Sequence, residues 1–226
     1  MLLAALATPS AAMAGTLGGS GGYPASLAFQ ASPGEQNDLS VDVARSEVQG
    51  DGFTVTDAGA PLQLTGGCNA GSPVFCPGEF FSLIDVDLGD RADRASVVAY
   101  PRASTVNVSA GKGDDRVKTD SNSRTQIFGG PGGDLLELNS AYFGLAEGQD
   151  GDDTIVGRGD KGTVIRGGDG NDFIEGLMAY STLEISGGAG NDTMIAGAIG
   201  VDLHGPATFT GGPGDDLVAF LNPGCV

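Results

Sequence analysis

The sequence predicts an all-β fold, a right-handed parallel β-roll or β-helix solenoid with an N-terminal β cap. Three observations predict it. A glycine–aspartate phrase recurs about every 20 residues, apolar residues fall in fixed columns beside each recurrence, and the chain between recurrences alternates apolar and polar residues. Forty glycines in 226 residues far exceed the roughly 7% of an ordinary globular chain. No strict three-residue period exists, which excludes collagen. A hydrophobic content of 40%, arranged in short β-branched runs, argues against disorder. No stretch with a 3.6-residue period is long enough to make helix more than a minor element.

Charge sets a second bound. Eleven Lys and Arg stand against 29 Asp and Glu, a formal charge of -18. Such a chain should not bind nucleic acid or an anionic membrane by charge. Most of the acids are aspartate, a poor helix former and a good turn and metal residue. The charge then serves solubility or salt adaptation, or it awaits a cation; the placement of the aspartates decides.

In chain order, residues 1–14 read as the remnant of a secretory signal peptide. A short apolar run precedes small residues, with Ala12-Met13-Ala14 as an A-x-A cleavage site. This predicts an extracellular protein, secreted or held at a cell surface. No later stretch is long and apolar enough to span a bilayer. Residues 15–87 read as a β-rich cap, with Leu27/Phe29, Leu39/Val41/Val43 and Phe53/Val55 facing one core and "SPGEQND" and "QGDG" as breaks between strands. A solenoid needs its open end covered; the alternative is a separate binding β-domain. Cys68 and Cys76 lie close in "GGCNAGSPVFCPG", and in an exported protein they predict a local disulfide. Cys225 is left over, either free or paired between chains. Ile84, Val86 and Leu88 carry the alternation into the first repeat.

Residues 88–226 hold the repeats. Aligned as G-G-x-G-x-D-x-U-x, with U a large apolar residue, the sixth position is Asp93, Asp115, Asp134, Asp153, Asp172, Asp192 and Asp216, at intervals of 22, 19, 19, 19, 20 and 24. The eighth position reads Ala95, Val117, Leu136, Ile155, Ile174, Met194 and Val218. Two residues before each copy from the second onward stand Val108, Ile127, Ala146, Ile165, Ile185 and Phe209. Three columns in one register mean stacked coils. Nineteen residues suit two short strands and two turns, a flattened roll of two sheets. A three-sheet β-helix would need a longer coil. The motif fills one turn and the opposite turn varies freely, so the recurring chemistry stacks along one edge.

That chemistry points to a cation. Glycine permits positive φ and removes Cβ, so carbonyl oxygens can turn toward a small ion, and each copy adds an aspartate. Several oxygens at loose geometry suit Ca2+; Mg2+ demands a stricter octahedron, and zinc would want the Cys and His that are missing here. Residues 110–220 resemble the hemolysin-type calcium-binding repeat (RTX) family, whose nonapeptide folds as a parallel β-roll. "GGPGGDLLE" (129–137), "GGDGNDFIE" (167–175), "GGAGNDTMI" (187–195) and "GGPGDDLVA" (211–219) match fully. Copy 148–156 has Gln149 for its second glycine, copy 110–118 has Ala110 for its first, and copy 88–96 puts Arg91 where the fourth-position glycine belongs. The metal ligands expected are Asp115, Asp134, Asp153, Asp172, Asp192 and Asp216, with the carbonyls of Gly129, Gly148, Gly167, Gly187 and Gly211. One calcium column is expected, most secure in the four gaps spanning 110–195, with replacement of Asp93 mattering little. Asp114, Asp150, Asp152, Asp169 and Asp215 add acids at positions three and five, which as turn caps would only add repulsion.

The reading is of a secreted calcium-binding protein that folds with its metal and is not an enzyme. Two other classes stay open: a secreted polysaccharide-acting enzyme of lyase or epimerase type, and an adhesive cell-surface module on the same roll. The inventory for catalysis is thin. His204 is the only histidine, and "GGSGG" (18–22) fits G-x-S-x-G only formally. A lyase arginine would be Arg116 or Arg166 by register.

Overall fold

A computed structural model of the chain describes residues 15–20, 25–46, 50–78, 81–100, 105–178, 182–198 and 206–221. The expected leader at 1–14, His204 and Cys225 lie outside the described residues. Every described element is a strand. The N-terminal part holds β1 (Gly15–Ser20), β2 (Ala25–Gln30), β3 (Asp38–Ser46), β4 (Gly50–Asp57), β5 (Leu62–Gly66) and β6 (Val74–Pro77). The repeats begin with β7 (Phe81–Asp87), β8 (Arg94–Ala99), β9 (Thr105–Ser109), β10 (Arg116–Ser121), β11 (Arg124–Pro131), β12 (Leu135–Ser140) and β13 (Gly144–Asp150). They continue with β14 (Thr154–Gly159), β15 (Thr163–Asp169), β16 (Phe173–Met178), β17 (Leu183–Ala189), β18 (Thr193–Ala198), β19 (Ala207–Thr210) and β20 (Leu217–Leu221).

From β7 onward the strands fall alternately into two sheets. One runs β19-β17-β15-β13-β11-β9-β7-β2-β1-β5 and the other β20-β18-β16-β14-β12-β10-β8-β3-β4-β6. All neighbours from β7 and β8 to the C-terminal end pair parallel. This is the two-sheet solenoid expected from a 19-residue coil. The register is the one the columns imply, with Val117, Leu136, Ile155 and Ile174 side by side on β10, β12, β14 and β16. They face Val108, Ile127, Ala146 and Ile165 of the other sheet, and all are fully buried. Glycines outside the motif fit large residues across this core. A Cβ on Gly144 would press on Leu138, one on Gly157 on Ile165, and one on Gly176 on Leu183 and Ile185.

The cap is continuous with the roll, and part of it is itself a coil. β2 pairs parallel with β7, and β3 pairs parallel with β8. Residues 31–37 therefore turn at the motif edge, in line with the repeat turns. "SPGEQND", read from sequence as a break, is a coil without the glycine spacing. Beyond it β1 packs antiparallel on β2, and β4 antiparallel on β3, which ends the regular succession of parallel coils; β5 then pairs parallel with β1 and β6 antiparallel with β4. Leu27, Phe29, Leu39, Val41, Phe53 and Val55 are buried as expected, and Val43 packs against them. Cys68 and Cys76 are joined in a disulfide.

Candidate metal centre

The motif edge is built by β-strand register and glycine. The turns between the sheets are short, and from the second copy onward positions two and four adopt positive φ: Gly130 has a φ of 115° and Gly132 of 147°. The coils also approach closely there. A Cβ on Gly130 would collide with the carbonyl of Gly111, and one on Gly132 with that of Gly113. Gln149 stands in such a position with a φ of 87°. A side chain in that region costs on the order of 1 kcal/mol. Gln149→Gly is therefore expected to stabilise the protein by about 1 kcal/mol, read as a higher denaturant midpoint at unchanged m-value. A lower midpoint would show that the Gln149 side chain contributes more than its backbone costs.

The sixth-position aspartates turn inward and form a ladder. The amide of Asp93 donates to Asp115 Oδ1 (2.7 Å), that of Asp115 to Asp134 (2.8 Å), and that of Asp134 to Asp153 (2.8 Å). The chain of bonds continues from Asp153 to Asp172 (2.9 Å), from Asp172 to Asp192 (2.9 Å) and from Asp192 to Asp216 (3.1 Å). A second ladder runs the other way at position five. Asp114 Oδ1 accepts from the Gly133 amide, Asp152 from Asn171, Asn171 from Asn191, and Asn191 from Asp215. Asp114 and Asp152 thus do cap neighbouring turns, which corrects the expectation that acids there would only repel; asparagine does the same work in the next two copies.

Only half of each inner carboxylate is satisfied. Asp93, Asp115, Asp134, Asp153, Asp172 and Asp192 are at most 2% exposed, and Oδ2 of each has no hydrogen-bond partner. In three successive turns that oxygen and a glycine carbonyl border the same small space, the one a Cβ at position one would fill. A Cβ on Gly129 would collide with Asp134 Oδ2 and press on the carbonyl of Gly148. One on Gly148 would do the same with Asp153 Oδ2 and the carbonyl of Gly167, and one on Gly167 with Asp172 Oδ2 and the carbonyl of Gly187. Gly187 and Gly211 likewise cradle Asp192 and Asp216. Two buried acceptors side by side, one of them a carboxylate, need a proton or a cation between them.

The cap supplies the contrasting case. Asn37 holds the aspartate's place in the turn before the first repeat. Its amide N–H donates to Asp93 Oδ1 (2.6 Å), extending the ladder, and its side-chain Nδ2 donates to the carbonyl of Leu88 (3.1 Å), the first residue of the next copy. Where the side chain is an amide, Nδ2 closes the gap by an ordinary hydrogen bond, and Oδ1 is the atom left without a partner. Where it is a carboxylate, the donor is missing.

Burial drives the carboxyls upward in pKa. Desolvation, opposed by the ladder bonds and reinforced by neighbouring aspartates, raises Asp93, Asp115, Asp134 and Asp172 to about 6 and Asp153 to about 7; Asp192 is also raised.

The residues expected as ligands stack in one column along this edge, with two differences from the sequence expectation. Position one is Leu88 in the first copy and Ala110 in the second, both fully buried. Neither residue is glycine, so Asp115 lacks the glycine cradle that the other five expected ligands possess. Asp93 nevertheless shares the burial and the ladder, and it ties the cap to the roll, so its replacement should matter to stability, against the sequence expectation. The last interval of 24 residues closes at the motif edge, because the excess lies between β18 and β19 on the opposite edge; Gly188 N still donates to the carbonyl of Gly211 (2.8 Å). No cluster of three or more His, Cys, Asp or Glu side chains surrounds a common point among the described residues. A cation at this edge would take most of its ligands from backbone carbonyls.

The arginines considered for a lyase are occupied and separated. Arg116 of β10 pairs with Glu137 (3.2 Å), and Arg166 of β15, in the other sheet, pairs with Glu147 and Glu184. No helix among the described residues is long and apolar enough to cross a membrane. No family model, curated protein or solved structure matches the chain.

Proposed function

We propose that this chain is an exported calcium-binding solenoid of the hemolysin-type repeat class, a non-catalytic module whose stability is controlled by the ions along its motif edge. The observation that carries this reading is the row of buried Oδ2 atoms without a donor at the same place in successive turns, with a glycine carbonyl bordering the same space at Asp134, Asp153 and Asp172. Asp134, Asp153, Asp172, Asp192 and Asp216, with Gly129, Gly148, Gly167, Gly187 and Gly211, would hold the ions, and Asp115 would contribute more weakly beside Ala110. Bound calcium would supply the positive charge that lets these carboxylates stay ionised while buried. Flexible oxygen-rich surroundings favour calcium over magnesium. The Cys68–Cys76 disulfide supports an oxidising, extracellular setting.

Five glycine-cradled turns enclose four gaps. Equilibrium dialysis is expected to find about four calcium ions, with dissociation constants of roughly 10⁻⁴ to 10⁻³ M, as for other extracellular calcium modules. Calorimetry should show chelator lowering the melting temperature, because ion binding to the folded chain alone adds to its stability. No bound calcium at millimolar concentration would sink the reading and leave the ladders as turn caps.

A further inference from the structure

Besides the aspartate edge, a second feature of the described residues is an exposed apolar surface at β20. Among the described residues β19 and β20 are the last strands of their sheets. Leu217 is 60% exposed, Val218 43%, Phe220 64% and Leu221 58%. Phe209 and Phe220 stack edge to face, 4.8 Å between centroids, where the preceding coil has Ile185 and Ala196. β20 is thus apolar on both faces, and among the described residues no strand pairs along its far edge, an arrangement that templates pairing with another strand.

We propose that a second copy of this chain covers this end, with β20 pairing antiparallel to β20 of the other copy about a two-fold axis at Ala219. The sequence of β20, Leu217-Val218-Ala219-Phe220-Leu221, is nearly palindromic in chemical character. In this register Leu217 meets Leu221 of the second copy, Val218 meets Phe220, and Ala219 meets Ala219. The backbone agrees with the register. The Leu217 amide donates inward to Asp192 (2.8 Å), so by strand alternation Val218 and Phe220 direct their amides and carbonyls to the free edge. Those two residues become a hydrogen-bonded antiparallel pair on each side of the axis.

Charge favours the same arrangement. A two-fold axis perpendicular to the sheets keeps core facing core but reverses strand direction. The acidic turn holding Asp215 and Asp216 then lies beside the variable edge of the second copy, and the two aspartate columns never stack on each other. Such a self-complementary contact is isologous and closed, giving a dimer rather than a filament.

The test is sedimentation equilibrium on the full chain in calcium, at about 1–100 µM, a range that brackets micromolar affinity. The parent protein is expected to be a dimer. Leu217→Lys combined with Leu221→Lys sets like charges against each other across the axis and is expected to give a folded monomer. Leu217→Glu combined with Leu221→Lys sets opposite charges against each other in this register and is expected to restore the dimer. Both leucines point outward, so circular dichroism should show the same strand content in all three. A monomeric parent protein at 100 µM, or a dimer equally strong in the double-lysine variant, would overturn the proposal.

Discussion

At neutral pH and without metal, Asp153→Asn is expected to be more stable than the parent protein, by about 1–2 kcal/mol, although it removes a proposed calcium ligand. Asp153 is buried in mid-column, its carboxyl is pushed up to about 7, and its Oδ2 has no donor. Asn37 shows what an amide does in this position: the side-chain N–H2 donates to the first carbonyl of the next turn. In the variant, Oδ1 would keep accepting the Asp134 amide, and Nδ2 would reach the Gly167 carbonyl. Calcium should reverse the order. The amide brings no charge, so the variant is expected to bind fewer ions and to gain less in melting temperature than the parent. At pH 5 the metal-free proteins should nearly coincide, because a protonated Asp153 can make the same bond. A metal-free Asp153→Asn protein that melts well below the parent at pH 8 would contradict the account of the unpaired oxygen.

How much of this was legible in the sequence follows from where the period holds. Asp115, Asp134, Asp153 and Asp172 recur at a constant 19 residues, and that spacing placed the two sheets, the core columns and the edge correctly. The coil formed by β2 and β3 was not legible. From Asn37 to Asp93 is 56 residues, because the excursion through β4, β5 and β6 comes between them, and a search at a period near 20 cannot bridge it. The turn also has Asn37 for aspartate and lacks the glycines at positions two and four, since no earlier repeat turn packs against it. The meaning of position one was equally hidden. Gly129 looks like any turn glycine, but its missing Cβ is what leaves room for Asp134 Oδ2. Ala110 and Leu88 read as mild departures until it is clear that a Cβ at this position would collide with an aspartate Oδ2 placed as in the later turns.

The second large effect is a reversal of pH dependence by calcium. The inner carboxyls have folded-state pKa values of about 6 to 7, above the value of 3.8 expected when unfolded. The folded chain therefore holds more protons than the unfolded chain between about pH 4 and 7. Stability without metal is fully present below the unfolded pKa and is lost as pH rises through the folded values. Several coupled groups contribute, so the melting temperature in chelator is expected to fall on the order of 10 °C between pH 5 and pH 8. On the proposed reading, bound calcium would supply the positive charge that the protons supply at low pH, so its effect would grow as the protons leave. The most direct measurement is thermal unfolding across pH 5–8, in chelator and in about 10 mM calcium, a concentration above the affinity expected for such sites. The account predicts curves that nearly meet at pH 5 and diverge steadily to pH 8, the chelator curve falling and the calcium curve holding or rising. Superimposed curves at pH 8, or metal-free stability that rises with pH, would contradict it.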